Sequence, residues 1–182
     1  LATVYAEGFS LFYRVNVEDN LLLLLISLLL CVLMRKKLAA FFRSGWQGSG
    51  TGEKAAVLVL FVLWSYFCSR GYCVPDMNLY HGQSIRWIEE YGVVKGLVHI
   101  HSRFAYNSAI FALSALFDTH LLAEHAIHAV NGFLAFVLSF EIIKLGRCFH
   151  RRKMLLSDYA RAALFYYMTL VWDEVVAPSS DY

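Results

Sequence analysis

The chain has 182 residues, of which 59% are hydrophobic, 16% aromatic and 16% charged, with a formal net charge of +2 and a mean hydropathy of +0.52. That is too apolar for an ordinary soluble domain. It is also too weakly charged for nucleic-acid binding, and no basic stripe interleaved with aromatics appears.

Two prolines in the whole chain suit long helices rather than a loop-rich fold. The four cysteines, Cys31, Cys68, Cys73 and Cys148, form no framework. They read as isolated thiols, with Cys68 and Cys73 able to pair in an oxidising compartment. The chain opens on Leu1 rather than Met, as expected of a processed product or a piece of something longer. Glu18 and Asp19, not a basic n-region, precede the first apolar run, so that run does not read as a signal peptide.

The run is Leu21–Met34, LLLLLISLLLCVLM. At about 1.5 Å per residue it covers roughly 21 Å of a ~30 Å hydrocarbon core. Arg35, Lys36 and Lys37 can snorkel while Leu38–Phe42 extends the apolar character, so a first span is predicted over residues 21–42. SGWQGSGTG, Ser44–Gly52, reads as a flexible loop. A second span is predicted over 55–69, with Trp64, Tyr66 and Tyr72 as an interfacial belt.

From residue 70 to 118 polar and aromatic residues alternate. Met77, Tyr80, Trp87, Ile88 and Tyr91 recur at near-helical spacing, with Gln83, Arg86, Glu89 and Glu90 mostly elsewhere on the wheel. Asp76, after Pro75, is a plausible N-cap. The pattern predicts an amphipathic helix lying in the membrane interface, then a break at Gly92 and Gly96 and another short helix over 103–117.

A third span is predicted over 120–145, polar in its first half (Glu124, His125, His128, Asn131), and a fourth over 159–172. Arg35, Lys36, Lys37, Arg43 and Lys54 fall in one loop, and Arg147, Arg151, Arg152 and Lys153 in another. The positive-inside rule puts both loops in the cytoplasm and the 70–118 loop outside. The fold class expected is therefore an all-α membrane protein of about four transmembrane helices, a single integral domain with an external loop.

Six of the seven histidines fall between His81 and His128. His120, Glu124, His128 and Asn131 share one helical face and could hold a divalent metal. They match no known zinc motif, and a polar packing stripe explains them as well. Asp76 sits at the exit of a span beside Tyr80 and His81. A carboxylate there could take a proton from a hydroxyl or hold a metal bridging a phosphate. Arg86 and Arg103 could neutralise a phosphate or serve as headgroup anchors.

The stretch from Pro75 to Asp118 resembles a family of large bacterial multi-span proteins that look like relatives of the GT-C glycosyltransferases. Asp76, Leu79, Tyr80 and His81 match its Asp-Thr-Gly-Leu-Tyr-His element; Met77 and Asn78 depart from it. Trp87, Ile88, Glu90, Tyr91 and Gly92 match a Trp-Ile-x-Glu-Tyr-Gly helix end. His101, Ser102, Arg103 and Asn107 match a His-Ser-Arg-x-x-x-Asn element, and the tail APSSDY is similar to a later Ser-Pro-x-x-Asp element with Asp181 as its acid.

The resemblance covers about a quarter of the chain. It implies inverting transfer of a sugar from a polyprenyl-phosphate donor at the external face of a bacterial plasma membrane, in cell-surface glycan synthesis. Asp76 would be the catalytic carboxylate, acting as base toward the acceptor or as ligand to a divalent metal such as Mg or Mn. Tyr80, His81, Arg86, His101, Arg103 and Asn107 would form the substrate pocket. The alternative is a non-catalytic component of polysaccharide assembly or export, or a membrane scaffold.

Overall fold

A computed structural model describes residues 1–71, 74–117, 129–148 and 153–178. All regular structure among them is helical: α1 Ala2–Ser10, α2 Val17–Leu33, α3 Arg35–Gly48, α4 Thr51–Arg70, α5 Gly82–Tyr91, α6 Ala109–Leu116, α7 Val130–Leu145 and α8 Leu156–Leu170. Asp19, one of the two acids before the apolar run, finds its use at the start of α2. The Asn16 side chain accepts from the Glu18 N–H at 2.9 Å, and Asp19 accepts from the Asn16 N–H at 2.9 Å. This capping box satisfies donors that a helix start leaves open.

The predicted span over 21–42 does not continue through its basic residues. The helix ends at Leu33, and α3 leaves at 82° to α2. The turn falls at Met34, where the leucine run meets Arg35, Lys36 and Lys37. Three successive cations cannot prolong a helix into apolar surroundings without a large desolvation cost.

The expected loop Ser44–Gly52 is also mostly helical, leaving Ser49 and Gly50 as the connection between α3 and α4. Interior glycines cost only about 1 kcal/mol each in a helix. Here the Ser44 and Ser49 hydroxyls donate back to the Phe41 and Gly45 carbonyls.

Helices α4, α7 and α8 pack together through a few specific contacts. Trp64 donates its indole N–H to the buried Ser139 hydroxyl at 2.9 Å. Gly132 lies so close to Cys68 that a β-carbon there would stand 2.0 Å from the sulfur. Cys31, Cys68 and Cys148 are free thiols; Cys73 lies outside the described residues. At one end of the bundle Arg147 grips Glu53 with two bonds of 2.6 and 3.0 Å. Nearby, Arg161 joins Glu141 to the buried Asp158. At the other end Asn131 donates to the Ala177 carbonyl.

A second core is built from α1, α5 and α6, with Ala6, Val15, Ile85, Ile88, Phe111 and Leu116 at its centre. The end of α5 is sewn to the α1–α2 connection by two bonds, Val15 N–H to Ile88 at 3.0 Å and Val93 N–H to Ser10 at 2.8 Å. Asn20 of α2 donates to the Leu116 carbonyl at 2.8 Å. Of the short helix expected over 103–117, only Ala109–Leu116 is α-helical. A 3₁₀ turn, Ser102–Ala105, precedes it.

Among the described residues, α4 alone is long and apolar enough to cross a membrane, or two segments are if the bent pair α2–α3 counts as one. Among the described residues α7 has 16 residues and α8 has 15, and residues 120–128 of the third predicted span lie outside them. The all-helical class thus stands, with the four-span count reduced on these criteria.

Gly92 explains the break after α5. Its φ is +75°, and a β-carbon would meet the Tyr13 carbonyl oxygen at 2.5 Å. Gly92→Ala should therefore lower the thermal unfolding midpoint in detergent, by the equivalent of about 1–3 kcal/mol. An unchanged midpoint would mean that this seam yields easily.

Candidate functional site

The chain leaves α4 through the left-handed Gly71, and Val74, before the next turn, is buried. A π-type turn over Met77–His81 then leads into α5. Such widened turns are rare and often mark functional segments. This one turns Tyr80 and His81 inward, where both are buried. The His81 ring lies 4.2 Å from that of Tyr80 and 5.1 Å from that of Phe111 between centroids.

Asp76 stands at the N-cap position of the turn, yet its side chain makes no capping bond. The capping role open in the sequence is therefore not the one adopted. Its carboxylate instead accepts from Arg103 at 2.6 Å, across 27 residues of sequence. The Arg103 guanidinium also lies over the Tyr80 ring at 5.5 Å, a cation–π contact. Tyr106, which the sequence did not single out as a site residue, stands edge-on to Tyr80 at 6.3 Å. No periodicity could have found it, because residues 106–108 form an extended link.

His101 acts one step back. Its Nδ1 accepts the Arg103 backbone N–H at 3.2 Å, capping the 3₁₀ turn that presents the guanidinium. This bond requires an unprotonated Nδ1. Asp76, Tyr80, His81, His101 and Arg103 thus come together, drawn from both sides of α5.

Arg86 does not join them by any contact. It pairs with Glu90 at 2.8 Å along α5, on the helix that also carries Trp87 and Tyr91, whose rings are tilted at 42° to each other. The hydrogen bond from Arg86 holds the Glu90 carboxyl below its usual range. That pairing is complete above the ordinary carboxylate pKa and is lost as pH falls through the lowered one. Asn107 is exposed in the extended link. The apolar stripe of α5 is also shifted from the expected one: Ile85 and Ile88 are buried while Tyr91 is exposed, because α6 covers that face.

The contact with Asp76 uses one of the five N–H donors of Arg103. Both side chains remain open, at 39% exposure for Asp76 and 48% for Arg103. Leu79, Val98, Ile100 and Tyr106 in the same segment are all exposed. The arrangement offers a planar cation with spare donors, a carboxylate beside it and apolar side chains in the surrounding segment.

A family model described as "Domain of unknown function (DUF8201)" matches residues 1–182. The chain belongs to the DUF8201 family. No curated protein sequence and no solved structure matches it. In this DUF8201 domain the described residues contain no group of three His, Cys, Asp or Glu side chains able to hold a metal. Asp76 brings a single carboxylate to the cluster. The metal candidates His120, Glu124 and His128 lie outside the described residues, as do Asp118 and Asp181.

A half-exposed ion pair contributes at most about 1 kcal/mol. Asp76→Asn and Arg103→Ala should each shift the stability of the detergent-solubilised DUF8201 domain by no more than that. A loss above about 2 kcal/mol in a denaturant titration would assign the pair to the scaffold.

Proposed function

We propose that this DUF8201 domain is a membrane-embedded, GT-C-like glycosyltransferase module that receives a polyprenyl-phosphate sugar at Arg103 and Asp76. The observation that carries the reading is the Asp76–Arg103 pair, partly exposed, with guanidinium donors to spare. A phosphate is the ligand that such a fork matches in charge and geometry. The exposed apolar side chains of the same segment suit a polyprenyl tail.

The membrane part of the proposal rests on apolar surface turned outward. Only 6% of the apolar window of α4 is buried, the reverse of a soluble core helix. Leu21, Leu25, Leu28 and Leu29 of α2 are likewise exposed. Contiguous apolar surface of this kind needs cover, and lipid provides it along the whole length of a helix. With α2 and α4 as spans and α7 packed along α4, Glu53 and Arg147 lie at one end, on the side of the basic residues 35–37, 43 and 54. The positive-inside rule makes that end cytoplasmic, leaving the Asp76–Arg103 layer on the external side of a bacterial plasma membrane.

In the proposed reaction Arg103 shifts from Asp76 to the donor phosphate. The released carboxylate takes the proton of an acceptor hydroxyl, whose oxygen attacks the anomeric carbon from the face opposite the phosphate. The carbon–oxygen bond to the polyprenyl phosphate breaks, and Arg103 stabilises the negative charge gathering on the leaving group. Tyr80 holds the guanidinium in place from beneath. A non-catalytic assembly component is favoured by one observation only, that Asp76 already has its partner in Arg103.

The test is binding of a polyprenyl-phosphate sugar to the purified protein that carries this domain. Arg103→Ala should weaken binding at least about tenfold, the loss expected for one charge-assisted hydrogen bond. Asp76→Asn should retain binding and abolish transfer. Equal binding and equal turnover in all three proteins would refute the transferase reading in favour of a scaffold.

A further inference from the structure

We infer that α3 is a membrane-surface helix that binds the anionic phospholipid headgroups of the leaflet at the basic end of the bundle. The inference rests on the membrane reading above and concerns a different surface, far in sequence from Asp76 and Arg103.

Helix α3, RKKLAAFFRSGWQG, carries four cations and no acid. At 100° per residue Leu38, Phe42 and Trp46 fall in one stripe, with Phe41 on its flank. Lys36, Lys37, Arg43, Ser44 and Gln47 occupy the other side. Arg35 sits above the apolar stripe in the first turn, where a long side chain can snorkel.

No residue of α3 is buried by the rest of the protein. Phe41, Phe42 and Trp46 are 71%, 68% and 64% exposed. An isolated helix of this length gains too little from its own hydrogen bonds to leave three aromatic rings in water. The 82° turn from α2 supplies the occupant. If α2 crosses the bilayer, α3 runs almost parallel to its plane at the depth where the apolar run ends. An amphipathic helix with a basic face is built for that position, and the absence of any acid makes it complementary to anionic headgroups.

The return to α4 keeps to the same level, since Lys54 lies over the Trp46 ring at 4.9 Å. The fifth cation of the patch is therefore held against an aromatic residue of its apolar stripe.

The full chain would be reconstituted into phosphatidylcholine vesicles with or without phosphatidylglycerol, using lipids brominated at different depths. The difference in emission between wild type and Trp46→Phe isolates Trp46. We expect that difference to be quenched most by bromines near the headgroup, and more strongly with phosphatidylglycerol present. Combined Lys36→Glu, Lys37→Glu and Arg43→Glu should lose at least half of the quenching while the chain still floats with the vesicles. Trp46 emission that no lipid quenches, or that the chain-end bromines quench best, would overturn the assignment of α3 alone. The same holds if phosphatidylglycerol and charge reversal leave the quenching unchanged. A chain that does not float with vesicles at all would overturn the membrane reading and this inference together.

Discussion

Helices that are apolar on every side cannot be told by hydrophobicity which neighbour to choose. In this chain that constraint falls hardest on α4, whose surface is apolar nearly all round. Its partner is chosen by contacts that only one arrangement satisfies. The Trp64 indole needs an acceptor and finds Ser139. Gly132 offers a surface low enough for the Cys68 sulfur. Arg147 closes on Glu53 where the two helices end. In apolar surroundings an unmade polar contact is costly, and close backbone approach adds dispersion energy. Both effects depend on register, so they fix α4 against α7 in a way that leucines cannot. From that pair α4 leads on to the segment carrying Asp76, and α7 anchors the turn at Ala177.

The second core solves a different problem. Short helices α1, α5 and α6 could not hold themselves together in isolation. They are joined by buried aliphatic and aromatic side chains and by backbone bonds that pass close to Gly92. This makes a firm platform beneath a polar pair that is itself weak. Asp76 and Arg103 gain little stability from each other at half exposure. Their geometry is set instead by the π-type turn on one side and by the His101-capped turn on the other. A cation held by its surroundings, rather than by the strength of its own ion pair, can exchange partners at low cost. That property is what the proposed phosphate recognition requires.

The bend between α2 and α3 shows how charge can override hydrophobic continuity. Phe41 and Phe42 extend the apolar composition past the basic triplet, yet the backbone turns at Met34. The aromatic residues then lie on a helix of their own, with the cations ranged along its other side. The same residues that seemed to lengthen a span instead form an amphipathic surface.

Composition and pattern alone determined that the chain is helical, that apolar runs lie at 21–34 and 55–68, and that polar and aromatic residues interleave between 70 and 118. These features are local: a run of leucines or a cluster of polar aromatics is visible in any window that contains it. The end of α5 was legible because a special glycine, Gly92, marks it, whereas the Asn16 cap of α2 came to light only in the structure. Only the tertiary structure decided which residues meet. It brought Arg103 to Asp76 while Arg86 paired along its own helix, and it turned Ile85 rather than Tyr91 into the core. It also set Tyr106 beside Tyr80 and folded α3 away from α2. None of these is encoded by spacing, because each depends on how far a connecting turn carries the chain. A change of one residue in such a turn rotates every later side chain on a helix by about 100°.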